Sequence, residues 1–260
     1  MPKSEVPGEE AWPTQPRPVK PPPYARQKMT RDELTTVTPE SRAYCSKLID
    51  GAVFGETFTP IGLKPTVLFP GTNGGANWGG ASFDPATQIL YVNSMEIGFI
   101  QQIAKRPDGQ DTVPYRARGK ATPNSRFWDN KLIPCQKPPW GFLTAIDLNT
   151  GEFRWRSVLG VIDELVDRGV PPTGTANIGG SIVTAGGLIF IGATNDSRLR
   201  AFDKDNGREL WTTRLAASAH ATPATYFGVK TKKQFVVVAA GGGNKYSDRY
   251  ADELVAYTLP

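Results

Sequence analysis

Two regimes of hydrophobic patterning divide the chain. Up to about residue 66, apolar residues are thinly spread and prolines are dense. Beyond it, short apolar runs alternate with turn residues, the pattern of many brief strands. Strands are predicted over residues 67–69, 81–83, 88–93, 142–147, 152–156, 180–184, 188–192, 198–203, 209–214, 234–240 and 254–258. Residues 101–139 are polar and Pro-rich without a clear period, and read as a long insertion. Pro13, Pro16, Pro18, Pro21, Pro22 and Pro23 crowd the first 29 residues. Each removes a backbone donor, so this lead is expected to be an extended arm rather than a helix or central strand. Thr30 with Glu33 fits a capping box. Thr38 followed by Pro39 fits a helix N-terminus, with the helix running to about Ile49 and stopping near Gly51. A further short helix is expected near residues 162–167. The expected division is therefore an arm with short helices over 1–66 and an all-β region over 67–260 carrying the insertion.

An internal repeat says more. Ala145-Ile146-Asp147-Leu148-Asn149-Thr150-Gly151-Glu152-Phe153-Arg154-Trp155 matches Ala201-Phe202-Asp203-Lys204-Asp205-Asn206-Gly207-Arg208-Glu209-Leu210-Trp211 in its Ala, Asp, Gly and Trp. A second element recurs: Gly79-Gly80-Ala81 and Gly179-Gly180-Ser181 each open a strand pair. The strand that ends at the Asp needs a turn. The Asp caps that turn, the Gly supplies a positive φ, and the next strand carries a large ring at a fixed distance. Such rings stack between neighbouring units, and four-stranded units repeated about an axis form a β-propeller.

Composition agrees. Gly 27 and Pro 23 make up nearly a fifth of the 260 residues, which favours turns and short strands over long helices. The 30 Lys and Arg are scattered among 25 Asp and Glu without a dense basic run, so nucleic-acid binding is not expected. The longest apolar run, residues 181–193, is broken by Thr184, Gly186 and Gly187 and is too short to span a bilayer. The start, Met-Pro-Lys-Ser-Glu-Val-Pro, has no apolar core of a signal peptide. Cys45 and Cys135 read as lone thiols, or as a disulfide in an oxidising compartment. With His220 the one histidine, a His-rich metal site or a His-based triad is close to excluded.

The Ala-x-Asp-x-x-x-Gly-x-x-x-Trp pattern resembles the tryptophan-docking motif of pyrroloquinoline quinone (PQQ) dehydrogenases. Gly74-Gly75-Ala76-Asn77-Trp78-Gly79-Gly80, Pro138-Pro139-Trp140-Gly141 and Thr184-Ala185-Gly186-Gly187-Leu188-Ile189-Phe190 resemble signatures of the membrane-bound glucose dehydrogenase group. So do the lead Gly8-Glu9-Glu10-Ala11-Trp12-Pro13-Thr14-Gln15-Pro16 and the ending, residues 236–243 and 252–260. The resemblance implies an all-β partial propeller of about three to four blades, similar to the C-terminal part of a longer eight-bladed protein. It implies a C-terminal fragment, a split-gene product or an excised piece, whose catalytic aspartate, quinone-contacting lysine and main metal ligands lie upstream. It also implies oxidation of a sugar or other alcohol, with hydride passing to the quinone, and a periplasmic setting. Ca²⁺ or Mg²⁺ is implied for the full-length protein, with ligands outside this chain. Partners implied are the N-terminal half of the propeller, or a second copy.

By this resemblance Asn77 is the leading cofactor contact, because an amide both donates and accepts and so suits a ring bearing carbonyls and carboxylates. Read locally, Asn77 is equally a turn cap. Trp78 walls the pocket or packs between blades. Asn177 is a third cofactor candidate. Some alcohol-oxidising relatives carry a tryptophan near the position of Ile178, and its lack here favours the glucose-dehydrogenase-like branch. Trp155 and Trp211 are assigned to packing, and Asp147 and Asp203 to turn capping. His220 reads as a loop histidine rather than a general base, and Gly241-Gly242-Gly243 as a turn after a buried strand. No catalytic residue is expected in this chain. The rival reading is a non-catalytic propeller scaffold that binds proteins, which would have no use for an asparagine loop facing a central pocket.

Overall fold

The computed structural model describes residues 1–106, 114–119, 126–244 and 247–259. The expected insertion thus lies partly outside the described residues. Two compact units emerge. The first holds Met1–Val19, Ala25–Gly75 and Glu96–Pro138; the second holds Lys20–Tyr24, Ala76–Met95 and Pro139–Pro260. Residue 66, the expected boundary, opens a strand inside the first unit.

In the first unit, Thr30 and Glu33 close the expected capping box on a 3-10 turn, Arg31–Glu33. Helix α1, Pro39–Leu48, begins as its sequence requires: the Thr38 hydroxyl accepts from the Ser41 amide at 3.0 Å and Pro39 fills the first turn. It buries Ser41, Cys45 and Leu48, spaced at three to four residues, on one face. That face joins Val67, Phe69, Ile100, Phe127 and Cys135 in a core. The sheet of this unit is ordered β1-β2-β5-β6, from Val53–Phe54, Thr66–Leu68, Phe99–Lys105 and Tyr115–Gly119. Most of β5 and all of β6 fall in the segment that reads as periodless. Their residues, Phe-Ile-Gln-Gln-Ile-Ala-Lys and Tyr-Arg-Ala-Arg-Gly, carry too little apolar alternation to signal a sheet. Cys45 and Cys135 form a disulfide with Cα atoms 5.5 Å apart across 90 residues of sequence, so of the two readings the paired one holds.

The second unit is built from three sheets. The first takes β3 (Ala81–Asp84), β4 (Ile89–Met95), β7 (Gly141–Asp147) and β8 (Glu152–Val158) in that spatial order. The second takes β9 (Ser181–Val183), β10 (Leu188–Ile191), β11 (Arg198–Asp203) and β12 (Glu209–Arg214) in the same order. The third has β13 (Ala224–Gly228), β14 (Lys233–Asn244) and β15 (Ser247–Thr258). All neighbours are antiparallel, so each sheet is a meander. Successive sheets stack face to face. Ile89, Tyr91, Leu143 and Ala145 of the first bury against Ile189, Ile191, Ala193 and Phe202 of the second. Leu199 of the second packs with Val238 and Ala240 of the third. Each fully buried aliphatic here contributes on the order of 1.5–3 kcal/mol relative to exposure. These are propeller blades, and the all-β partial propeller is the observed architecture. A short helix α2, Asp163–Asp167, links the first two sheets. Strand β13 went unpredicted because its exposed Ala-Thr-Tyr-Phe-Gly has no buried alternate face. The Gly241–Gly243 triplet is not a turn: β14 runs on through it, with register shifts between Ala240 and Asn244 and positive φ at Gly242 and Gly243 marking a bulge.

The repeat has the role its pattern implies. Gly151 and Gly207 both sit at φ 71°, after Asp147 and Asp203 whose carboxylates accept from Asn149 N at 2.9 Å and Asp205 N at 2.8 Å. The Asp205 amide holds the Asp203 carboxyl below the usual range. Trp155 lies on the turn of the next sheet: any side chain at Gly207 would overlap its ring. Its indole Nε1 donates to the Lys204 carbonyl at 2.9 Å, and its ring stands 5.8 Å from that of Tyr91. Lys204 adds a tie to the first sheet, its Nζ 2.6 Å from Asp84 Oδ2, which holds the Asp84 carboxyl low and the ammonium high. Trp211 meets Tyr257 of the third sheet edge-on at 5.2 Å.

Candidate functional site

The Gly74–Gly80 loop leads into β3. Its core is a tight turn in which the Gly80 amide donates to the Asn77 carbonyl at 3.1 Å, with Gly80 at φ 76°. Only glycine adopts that backbone at no cost. The Asn77 side chain is half-buried, and its Oδ1 accepts from the Trp78 amide at 2.9 Å. This side-chain contact is to the next residue, and the turn itself is closed by the backbone bond from Gly80. Trp78 is 67 % exposed. Beyond Gly80 there is open space where a side chain would stand. The loop therefore presents an exposed indole ring and open glycine backbone beside a half-buried amide.

Behind the loop the packing is close. A side chain on Gly79 would collide with the backbone of Gly179 and Gly180, and one on Gly180 would collide with the Gly79 carbonyl. The recurrent Gly-Gly pairs are thus the points where the first two blades interlock. The Ser82 and Ser181 hydroxyls, one step further along β3 and β9, meet at 2.8 Å in a buried pair. The Thr222 hydroxyl donates to the Gly79 carbonyl at 3.4 Å.

Asn177 is 1 % exposed. Its Nδ2 donates to the carbonyls of Ser94 at 2.9 Å and Thr175 at 3.2 Å, and its Oδ1 accepts from Asn93 Nδ2 at 2.8 Å. The second Asn93 hydrogen goes to the Gly179 carbonyl at 2.9 Å. Both amide hydrogens of Asn177 are therefore spent on protein carbonyls, and the residue binds the end of β4 to the segment that leads into β9. Asn177 stands two residues before Gly179, which abuts Gly79 of the loop, and its side chain is turned to Ser94, Thr175 and Asn93. Asn93 was missed by sequence reasoning. A polar residue inside the otherwise apolar run of β4 was the signal that could have marked it.

His220 is 8 % exposed, and its Nδ1 lies 3.2 Å from the Ala193 carbonyl. Burial pushes its pKa below the ordinary histidine value, and the carbonyl only partly opposes this. A second cluster lines a cavity of about 600 Å³ between β8, α2 and β11–β12. There Arg198 meets Asp163 at 2.7 Å, Arg214 meets Asp163 at 2.9 Å, and buried Arg200 pairs with Asp196 and, at 3.1 Å, with Glu209. Burial alone would raise Asp163; the two arginines outweigh it and hold the carboxyl low. The charges answer one another, so this is a structural ion-pair network. Among the described residues no group of three or more His, Cys, Asp or Glu side chains is placed to hold a metal ion. Among them, too, no helix is long and apolar enough to cross a membrane.

A family model for the β-propeller domain of glucose/ethanol/alcohol dehydrogenases, the PQQ family, matches residues 1–236. The chain belongs to this family. Among relatives of this quinoprotein family, the quinate/shikimate dehydrogenase (quinone) of Acinetobacter baylyi is 36 % identical over 98 % of the chain and 34 % of its own length. A quinoprotein glucose dehydrogenase of Gluconobacter oxydans is 31 % identical over 100 % of the chain and 35 % of its own length. The chain thus spans about a third of the length of the relatives it matches. Among solved structures, the quinohemoprotein alcohol dehydrogenase of Comamonas testosteroni superposes with a TM-score of 0.51 at 24 % identity, over 75 % of this chain and 27 % of that one. That likeness bears on the fold, and it agrees with the blades described above.

Proposed function

We propose that this chain is the C-terminal part of a PQQ-dependent dehydrogenase that oxidises a hydroxyl of a sugar or other alcohol, and that it supplies one side of the quinone pocket. The observation that carries the reading is the Gly74–Gly80 loop, with its half-buried Asn77 amide beside an exposed Trp78 ring and bare glycine backbone. The donor set fits a flat heterocycle edged with carbonyls and carboxylates: the indole offers a face, and the amide hydrogen-bonds to an edge. When bound, PQQ supplies the two-electron oxidation of an alcohol to a carbonyl compound. The residues of this chain bind and orient: Asn77 and Trp78 hold the ring system, and the close-packed Gly79–Gly179 junction excludes water from behind it. The general base and the Ca²⁺ or Mg²⁺ ligands belong to the upstream part of the full-length protein. The buried disulfide supports an oxidising compartment, the periplasm, as the working location.

The test is a chimera in which this chain replaces the matching third of the Acinetobacter baylyi quinate/shikimate dehydrogenase. PQQ-dependent dye reduction with quinate, glucose or glycerol is expected, and Asn77→Ala lowers it at least about tenfold, on the order of 1.4 kcal/mol of transition-state stabilisation. A folded, PQQ-loaded chimera that oxidises none of these alcohols would count against the assignment.

A further inference from the structure

We propose that Asn93 and Asn177 are positioning residues that hold the Asn77 loop in place through the Gly79–Gly179 junction; this rests on the reading of Asn77 as a quinone contact. The geometry forms a closed circuit. Asn93 and Ser94 lie on β4, which pairs with β3, the strand that the Asn77 loop enters. Asn177 takes the Ser94 and Thr175 carbonyls with its two amide hydrogens and receives an Asn93 hydrogen on its oxygen. The remaining Asn93 hydrogen pins the Gly179 carbonyl at 2.9 Å. Gly179 and Gly180 in turn press on Gly79 with no room for a side chain between them. Thr222 reaches the same Gly79 carbonyl from the segment before β13.

All four hydrogens of the two side-chain amides are donated inside this circuit, and both residues are no more than 2 % exposed. A buried amide with every hydrogen satisfied is rigid, because any movement leaves a donor or a carbonyl unpaired in a dry interior. Asn77, two residues before Gly79 in the same loop, inherits that rigidity. The pair therefore fixes where the Asn77 amide stands before a ligand arrives, which is the preorganisation that a cofactor contact requires.

Hydrogen exchange of the chain, without cofactor, reads this directly. In Asn177→Ala, amides of residues 77–82 are expected to exchange about tenfold faster, while those of β11 stay at the wild-type rate. PQQ affinity is then expected to fall in Asn177→Ala and to fall no further when Asn177→Ala is added to Asn77→Ala. Unchanged exchange at 77–82, or equal acceleration throughout the unit, overturns the proposal. So does a loss of affinity that adds in full to that of Asn77→Ala, since Asn177 would then touch the cofactor itself. If Asn177→Ala does not fold, Thr222→Val at an exposed site decides. Several-fold faster exchange at 77–82 supports the circuit, and wild-type exchange refutes it. Because exchange is read without PQQ, a loosened loop in a chain that binds no PQQ would reject the quinone reading and leave the positioning role standing.

Discussion

Replacing Cys45 and Cys135 together by alanine lowers the stability of the first unit by about 2–5 kcal/mol. The bond ties residues 90 apart in sequence, so it removes a large set of unfolded conformations. Both sulfurs are fully buried, in one core with Leu48, Val67, Ile100 and Phe127. The double variant therefore loses packing as well as the cross-link. The unit has few other resources: its sheet includes β1 of only two residues and its main helix only ten. Chemical denaturation of the wild type with and without reductant, beside the double variant, checks this. Both reduction and substitution shift the first-unit transition to lower denaturant. An unchanged midpoint would mean that the helix and sheet hold without the cross-link.

Trp155→Ala destabilises the second unit by roughly 3 kcal/mol, while Trp211→Ala costs only about 1 kcal/mol. The two residues occupy the same place in the repeat, so pattern alone predicts equal effects. The structure separates them. Trp155 covers Gly207, contacts Tyr91 and donates to Lys204, linking the first sheet to the second. Trp211 is 38 % exposed and touches Tyr257 edge-on. Trp155→Phe keeps most of the ring and isolates the indole hydrogen bond, worth about 1 kcal/mol. Urea midpoints of the three variants give the comparison, and equal losses at Trp155 and Trp211 would contradict the docking account.

Much of the second unit was legible in the chain because its information is local. The Asp of each turn, the Gly at positive φ and the Trp beyond it act within eleven residues, so the repeat exposes both the strands and their inter-blade contact. Helix α1 was legible for the same reason, with Thr38 and Pro39 writing its start. What failed was information held elsewhere. Strands β5 and β6 exist because β2 and Tyr115–Gly119 bracket β5, not because their own residues alternate. The disulfide depends on a fold that brings residues 45 and 135 together. The Gly241–Gly243 segment holds glycines for a bulge, which in sequence looks the same as a turn.

The site divided along the same line. The motif singled out Asn77 and Trp78, the first half-buried and the second exposed. Asn177 was found by its closeness to Gly179-Gly180, yet its side chain is turned into the protein. No pattern in one dimension distinguishes an amide at the surface of a loop from one turned into the protein. That distinction needs the partners, Ser94, Thr175 and Asn93, which lie up to 84 residues away in sequence.

Titration of the chain with PQQ, followed by quinone absorbance and thermal shift, decides whether the Asn77 loop forms one wall of a quinone pocket. Saturable binding with a rise in midpoint temperature is expected, weakened about tenfold or more in Asn77→Ala, in keeping with loss of a hydrogen bond to a charged or polar ring edge. A folded chain that gives no spectral change and no thermal shift, or that binds equally well with Asn77→Ala, would contradict the account.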